Sequence, residues 1–257
     1  MPDIPRPQVP AADQTLRMLS FLARQPGPVA AQTIAMALDI PRSSTYHLLA
    51  TLEQHGYVVH LPGDRRWGLG TAAFELGGGY ARQQPLARLG RPVLAALSDR
   101  VGESAHLAVL AGRDVLYIVE ERAPRRPALV TDVGVRLPAH LAATGRAMLA
   151  ALPREQVRAL IPDATALTQR HGTGPATPRE LRDLLREVRA AGFASEDGEI
   201  TPGFRSVSAA VLDHAGWPAA AVAITWPSEG PERDVSALAE AVTAAAHELA
   251  RRIGRPS

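Results

Sequence analysis

The sequence contains no cysteine and no lysine, and only 4% of its 257 residues are aromatic. Without cysteine the chain has no disulfide, no thiolate nucleophile, and no cysteine-bound zinc or iron–sulfur cluster. The net charge is only +2, so attraction to a nucleic acid would need a local basic surface. Any site chemistry must therefore use oxygen or imidazole groups, and every strongly basic side chain is an arginine.

Long hydrophobic runs are also missing, although 46% of the residues are apolar and 21% are charged. No stretch approaches the roughly 20 apolar residues of a membrane-spanning helix. Residues 1–13 are rich in proline and polar residues and lack the apolar core of a secretory signal. The sequence therefore predicts a cytoplasmic protein with no membrane partner. Its length suits two domains, because domains cluster near about 100 to 150 residues.

The first 70 residues predict three short helices followed by a hairpin. Asp13 is placed to cap the first helix, and proline and glycine separate the next two apolar-periodic segments. Strand-like segments at 57–59 and 67–69 follow, with a turn between them. This order predicts a winged helix-turn-helix domain over 13–70, after a disordered leader at 1–12.

The third predicted helix has the features of a DNA-recognition helix. Such a helix enters the major groove by its N-terminal end, so its first turn carries small polar or basic side chains. The alternative is that Ser43, Ser44 and Thr45 only cap the helix, as such residues often do. Arginines in the hairpin turn can reach flanking phosphates or the minor groove. The candidate DNA contacts are Arg42, Ser43, Ser44, Tyr46 and His47 on the helix, and Arg65 and Arg66 on the hairpin.

A linker helix is predicted over 71–84, with a soft point at Gly77–Gly79, and a second domain over 85–257. Strands flanked by helices favour an antiparallel α+β fold, and 162–178 is predicted to be an irregular loop. The predicted strands are 105–110, 115–119, 128–132, 193–195, 207–212 and 219–225. The predicted helices are 144–152, 154–161, 178–191 and 234–253.

Two sets of motifs in a fixed order resemble the IclR family of transcriptional regulators. The first set contains Gln14–Leu19, Leu38–Thr45 and Leu48–Leu52 with Gly56 and Tyr57. The second contains Leu137–Ala150, Gly192–Glu199, Pro202–Ser206 and Ala219–Thr225. The resemblance extends from Asp13 to Ile253. It implies a GAF-like effector-binding domain of α+β fold, homodimers or homotetramers, and a small organic effector, often a carboxylate or an aromatic acid.

The resemblance also implies pocket positions and shows four departures from the family pattern. Arg146 stands where lysine is frequent, Ser206 where cysteine is frequent, Ala223 where a polar residue is frequent, and His47 where arginine is frequent. Effector identity and operator sequence therefore do not transfer. The implied effector-binding residues are Leu129, Leu137, Ala143, Thr144, Glu196, Ser206, Ala223 and Thr225.

The pocket residues also have a chemical interpretation of their own. Ala142–Gly145 enters a helix, whose N-terminus can hold a carboxylate, although Thr144 could instead simply cap that helix. Ser206 and Thr225 can each supply a hydroxyl, but strand alternation leaves open whether both point inward. Glu196 repels an anionic ligand unless one carboxyl is protonated or bridged. With Ala223 in place of a polar residue, we expect an effector larger or more apolar than a two-carbon acid.

Together these features predict a ligand-responsive transcriptional regulator, repressor or activator, that binds a pseudo-palindromic double-stranded operator as a dimer or a dimer of dimers. No cofactor is expected, and His106, His140, Glu196 and Asp197 lack the spacing of a metal site. The alternatives are a GAF-like enzyme and a winged-helix module for protein contacts. The enzyme is not favoured, since the sequence has no Gly-x-Ser-x-Gly elbow, HExxH helix or glycine-rich phosphate loop. A mobility shift with DNA from upstream of the chain's own gene distinguishes the protein-contact module.

Overall fold

The computed structural model describes residues 8–61, 63–76, 85–124, 131–229 and 232–254. The chain divides into two compact units, an N-terminal unit of residues 1–83 and a C-terminal unit of residues 84–257. The predicted linker helix is helical over 71–76, named α4 here, while its glycine run at 77–79 lies outside the described residues. None of the described helices has the length and apolar character needed to span a membrane.

The N-terminal unit is a winged helix-turn-helix, which confirms the predicted fold. Its small sheet is antiparallel, with β3 between β1 and β2. The helices are α1 (Pro10–Leu22), α2 (Ala31–Leu38) and α3 (Arg42–Gln54), and the strands are β1 (Val29–Ala30), β2 (Val58–Leu61) and β3 (Arg66–Leu69).

Helix α1 begins at Pro10, inside the segment predicted as a leader. Proline suits this first position, because an N–H group there would have no carbonyl acceptor within the helix and proline lacks that group. Asp13 lies in the first turn, 3.6 Å from the guanidinium of Arg17, and Val9 is the N-cap residue. Asp13 therefore does not cap the helix, and the ordered structure starts earlier than the apolar pattern indicates.

The turn between α2 and α3 fixes the recognition helix on its core. Asp39 adopts a left-handed conformation with φ of 54°, which ends α2. The N–H of Ile40 donates to the carbonyl of Ala35 at 3.0 Å, and the Ile40 side chain is buried. One side of α3 is thereby held on a core that includes the fully buried Ile34 and Leu49.

The C-terminal unit is an antiparallel sheet of six strands in the order β6-β5-β4-β9-β8-β7, flanked by helices. This confirms the predicted α+β class. The strands are β4 (Ser104–Ala111), β5 (Asp114–Glu121), β6 (Arg136–Pro138), β7 (Ala194–Asp197), β8 (Phe204–Leu212) and β9 (Pro218–Pro227). The helices are α5 (Pro85–Val101), α6 (Ala143–Ala151), α7 (Arg154–Leu160), α8 (Pro178–Ala191) and α9 (Val235–Ile253).

Each face of this sheet is covered by its own hydrophobic core. Alternation along a strand sends successive side chains to opposite faces, so Leu107 joins the core under α5 and α9 while Ala108 joins the core under α6, α7 and α8. Both residues are completely buried. The candidate effector site is on the face covered by α6.

Three differences from the predicted elements have local causes. Strands β1 and β6 have two and three residues, too short to show alternation. The predicted strand at 128–132 falls mainly on residues 125–130, which lie outside the described residues, and residues 131–132 are not in a strand. The predicted loop at 162–178 contains a short 3-10 turn, Ala164–Ala166.

Gly145, in the first turn of α6, is expected to tolerate no side chain. A Cβ atom there would be 2.1 Å from the carbonyl oxygen of Ala139 and 2.4 Å from its Cα atom. Backbone cannot yield as a side chain does, so Gly145→Ala should lower the free energy of unfolding by roughly 1–3 kcal/mol or more. Gly254→Ala is the control, because its nearest contact would be an ordinary 3.6 Å. Equal urea midpoints for both variants would contradict this packing argument.

Candidate functional site

A polar pocket in the C-terminal unit lies at the N-terminus of α6, over the strands β5, β7, β8 and β9. The free space accessible to the centre of a water molecule is about 10 Å³, so the pocket has room for about one water. It is lined by Tyr117, Thr131, Ala142, Ala143, Thr144, Glu196, Ile200, Thr201, Phe204, Ser206, Ala223 and Thr225.

The start of α6 presents backbone N–H groups without a capping side chain. Ala142 is the N-cap residue, and no side-chain hydrogen bond caps the first turn. The hydroxyl of Thr144 instead lies 3.2 Å from the phenol oxygen of Tyr117. Because the first N–H groups of a helix have no intrahelical acceptor, and Ala142 and Ala143 are small, a ligand anion can approach this backbone.

Strand register aligns a carboxyl and two hydroxyls across the pocket. Glu196 on β7 pairs with Ser206 on β8, which pairs with Thr225 on β9. Ser206 donates to Glu196 Oε1 at 2.6 Å, and the Ser206 and Thr225 oxygens are 3.0 Å apart. Directly paired residues on antiparallel strands point to the same face. Both hydroxyls therefore face the pocket. The alternation of side chains along each strand could not by itself show this.

The Glu196 carboxyl has an unusual proton affinity. Burial raises its pKa from 4.5 to about 7, and the nearby negative charge of Glu199 acts in the same direction. The hydrogen bond from Ser206 opposes this rise but does not cancel it. Glu196 is therefore substantially protonated near neutral pH, which lets it donate a hydrogen bond to a ligand anion instead of repelling it.

Two aromatic side chains on one side of the pocket have proton states fixed by burial: Tyr117 lines the pocket, and His106 packs against Tyr117 without lining it. The pKa of His106 is lowered to about 3, so its imidazole is neutral, and the pKa of the Tyr117 phenol is raised. The two rings meet edge to face with centroids 5.9 Å apart. His106 Nε2 is 3.4 Å from the Thr131 hydroxyl. This part of the pocket is uncharged across the physiological pH range.

The residues implied by the family resemblance fall into three groups. Six of them line the pocket together. Leu137 is buried in the adjoining hydrophobic core without lining the pocket, and Leu129 lies outside the described residues. The six are Ala143, Thr144, Glu196, Ser206, Ala223 and Thr225.

Several lining residues were missed by the sequence analysis. No helical periodicity or capping motif marks Tyr117 or Thr131 in the sequence. The other missed residues lie in or beside the turn between β7 and β8: Ile200, Thr201 and Phe204. An aromatic residue in a strand was the available signal for Tyr117. It indicates burial without indicating which cavity the ring lines.

Arg146 connects the start of α6 to β7 and the turn after it. Its guanidinium donates to the carbonyl of His140 at 2.9 Å and to that of Ser195 at 2.7 Å, and it pairs with Glu199 at 2.8 Å. The Arg146 side chain is only 3% exposed. Arginine at this position therefore fixes the pocket walls instead of facing the ligand.

Neither a catalytic triad of Ser206, His140 and a carboxylate nor a metal cluster assembles among the described residues. The His140 ring bonds to the carbonyl of Thr168 at 2.9 Å, whereas Ser206 bonds to Glu196 and Thr225. These side chains thus do not form a catalytic triad. In the described part of the chain no three metal-ligating side chains come together.

In the N-terminal unit, the first turns of α3 expose the predicted contact residues. Arg42, Ser43, Tyr46 and His47 are exposed and Ser44 is half-buried, while Thr45 turns into the core. The helix starts after Pro41 with no side-chain cap, so the serines are not used as caps.

The wing of this unit carries the two predicted arginines. Arg65 and Arg66 are both exposed at the turn between β2 and β3. Arg65 has a φ of 52°, a conformation that non-glycine residues rarely adopt. The hairpin thus presents two cations beside each other in a tight turn.

A winged helix with an exposed polar recognition helix, followed by a sensor domain with an enclosed pocket, defines a DNA-binding transcriptional regulator. The model for the IclR helix-turn-helix domain matches residues 11–62, and that for the bacterial transcriptional regulator IclR C-terminal domain matches residues 78–251. The chain belongs to the IclR family of transcriptional regulators.

Relatives and solved structures agree with this assignment. The chain is 30% identical over 245 residues to the acetate operon repressor of Salmonella typhimurium, covering 94% of this chain and 89% of that protein. It is 30% identical over 241 residues to the regulator BhcR of Paracoccus denitrificans, covering 93% of this chain and 85% of that protein. These relatives are transcriptional regulators and not enzymes.

Two solved structures have the same fold. An IclR transcriptional regulator from Alicyclobacillus acidocaldarius has a TM-score of 0.82 at 24% identity, covering 96% of this chain and 100% of that one. An IclR homologue from Microbacterium hydrocarbonoxydans, complexed with 4-hydroxybenzoate, has a TM-score of 0.78 at 21% identity, covering 95% of this chain and 98% of that one.

Glu196 should make the stability of the protein depend on pH. The pKa of the Glu196 carboxyl is about 7 in the folded protein, compared with an ordinary value of 4.5. Its contribution to the stability of the fold is therefore complete below pH 4.5 and is lost as the pH rises to 7. Glu196→Gln keeps an acceptor for Ser206 but cannot ionise. From pH 4.5 to 8 the variant should gain roughly 3 kcal/mol of unfolding free energy relative to the parent.

Urea denaturation at pH 5, 6, 7 and 8 measures this difference. Glu187→Gln, which removes an exposed carboxyl on α8, is the matched control. A constant difference between Glu196→Gln and the parent across this range would show that Glu196 is ionised in the folded protein throughout.

Proposed function

We propose that this chain is a cytosolic repressor that binds a pseudo-palindromic operator as a dimer or a dimer of dimers and is controlled by a small organic acid. The observation that carries the proposal is the exposed, uncapped start of α3. Unpaired N–H groups and a partial positive charge at a helix N-terminus attract phosphate or base acceptors.

Side chains around that helix start supply the remaining DNA contacts. The guanidinium of Arg42 is 6.0 Å from the centroid of the Tyr46 ring, which supports a defined orientation for both. Arg42, Ser43 and Ser44 reach base edges, and Tyr46 and His47 contact bases or phosphates. Arg65 and Arg66 on the wing contact flanking phosphates or the minor groove.

Exposed apolar side chains in the N-terminal unit support self-association. Leu16 on α1 and Phe74 and Leu76 on α4 are 65%, 85% and 62% exposed. Large exposed apolar groups favour a covering partner, and the partner proposed is a second copy of the chain. Two recognition helices then read half-sites about 34 Å apart.

DNA binding should depend on the first turn of α3. Arg42→Ala removes a cation that reaches the groove, so we expect affinity for DNA from upstream of the chain's own gene to fall about 5- to 150-fold. Electrophoretic mobility shift at low salt measures this. Arg24→Ala, an exposed arginine at the end of α1, is the control and should bind as the parent does. If neither the parent nor any variant shifts DNA while remaining folded, the chain is not a DNA-binding repressor.

The effector is proposed to be an acid with an apolar body, such as an aromatic acid. Its carboxylate lies at the N-terminus of α6, and protonated Glu196, Ser206, Thr144 and Thr225 supply hydrogen bonds. The structure of the Microbacterium homologue is a complex with 4-hydroxybenzoate. Ala223, which pairs with His106 across β9 and β4, leaves space for an apolar group.

An effector of this size also explains how binding is communicated. With space for about one water, the pocket must open to admit an aromatic ring. Ile200 and Phe204 are the large aliphatic and aromatic side chains beside the turn after β7, so their displacement moves that turn. Effector binding thereby selects a different conformation of the sensor domain.

Thermal-shift measurements with 4-hydroxybenzoate, benzoate and glyoxylate distinguish the proposed effector class. We expect the aromatic acids to raise Tm and glyoxylate to have a smaller effect. The rise should be larger at pH 6 than at pH 8, because protonated Glu196 donates to the carboxylate. In Glu196→Gln this pH dependence should disappear. Stabilisation by glyoxylate alone would contradict the preference for a larger, more apolar effector.

A further inference from the structure

A second cavity in the C-terminal unit lies between α7 and α8 and shares no residue with the effector pocket. Its volume is about 400 Å³, compared with about 10 Å³ for the pocket. It is lined by Arg154, Val157, Arg158, Ile161, Pro162, Pro178, Leu181, Arg182, Leu185, Arg186 and Arg189. We refer to it as the arginine groove.

The floor of the arginine groove is aliphatic. Val157 and Ile161 come from α7 and the residue after it, and Leu181 and Leu185 come from α8. All four side chains are at most 7% exposed, because they also belong to the core under the sheet. Above these buried side chains, the exposed Pro162 and the half-buried Pro178 add accessible apolar surface to the groove, which a hydrated inorganic ion does not use.

The rim carries five guanidinium groups and no carboxylate. Arg154 and Arg158 are four residues apart on α7, and Arg182, Arg186 and Arg189 follow one face of α8. Within the described residues, Asp183 is the one carboxylate paired with any of the five, and its partner is Arg186. Like charges spaced four residues apart on a helix destabilise it. The positive rim is therefore an unfavourable arrangement until an anion neutralises it.

Arg189 is an exposed rim arginine whose pKa is lowered. Burial lowers the pKa of its guanidinium, and the positive charge of Arg154 lowers it further. Its Nε donates to the carbonyl of Ala150 at 2.6 Å, which holds the group at the end of the groove. Arg189 on α8 and Arg154 on α7 thus line the same groove from different helices.

We infer that the arginine groove is a binding site for a small organic phosphate with an apolar body. Guanidinium groups bind phosphate oxygens with paired hydrogen bonds, and five of them suit a dianion better than a single carboxylate. The volume is within the range of small-molecule sites, about 300–1,000 Å³. The apolar residues of the groove favour such a ligand over an inorganic anion, which has no apolar group to cover them.

Fluorescence of 1-anilinonaphthalene-8-sulfonate, an apolar anion, provides the assay on the full chain. Phenyl phosphate, inorganic phosphate and phenol are then added as competitors. Phenyl phosphate should displace the dye at a lower concentration than either of the others, because it alone supplies both the charge and the ring. In Arg158→Ala/Arg182→Ala its apparent affinity should fall about 10-fold or more.

Arg179→Ala is the matched control, since Arg179 is exposed on α8 but does not line the groove. It should bind phenyl phosphate as the parent does, and circular dichroism checks that each variant is folded. Parental affinity in the double variant, or equal competition by inorganic phosphate or phenol, would overturn the assignment. Displacement by a polyglutamate peptide at lower concentration than phenyl phosphate would also overturn it, in favour of an acidic protein segment.

Discussion

The buried guanidinium of Arg146 makes the interactions on which the geometry of the proposed effector pocket depends. It bonds to His140 and Ser195 carbonyls and to the carboxylate of Glu199, and so joins the start of α6 to the strand that carries Glu196. A planar guanidinium with five donors can bond acceptors on three segments, which an ammonium group does less well. Removing one partner of a buried ion pair costs roughly 3–5 kcal/mol. Arg146 therefore holds α6 and β7 together, and the movement proposed on effector binding is that of Ile200 and Phe204.

Helix α6 has a different contact at each end. Its N-terminus opens onto the effector pocket without a side-chain cap, and near its C-terminus the carbonyl of Ala150 accepts a hydrogen bond from Arg189 of the arginine groove. A cation at a helix C-terminus and an anion at its N-terminus both complement the helix dipole. The two cavities share no lining residue, yet they are connected through this nine-residue helix.

Much of this architecture follows from the sequence, and the remainder depends on packing. Apolar periodicity and breakers predict the helices and long strands, and Pro178–Ala191 is predicted with the bounds observed. The family resemblance brings Glu196, Ser206 and Thr225 into one pocket, but only strand register shows that both hydroxyls face inward. Tyr117 and Thr131 reach the pocket through the tertiary fold and leave no periodic signal. The near-closure of the pocket depends on side-chain packing, which a sequence pattern does not encode.

The hydroxyl of Ser206 has a consequence for the conditions under which the pocket works. A thiol at this position would be open to oxidation and to capture by soft metal ions. The serine oxygen undergoes neither reaction, and no cysteine elsewhere in the chain can replace it as a target. The hydrogen bond from Ser206 to Glu196 does not depend on redox conditions, because the hydroxyl has no thiol-like oxidation states. The pocket chemistry is therefore independent of the thiol redox balance of the cell, so peroxide and thiol-reactive electrophiles have no cysteine through which to alter it.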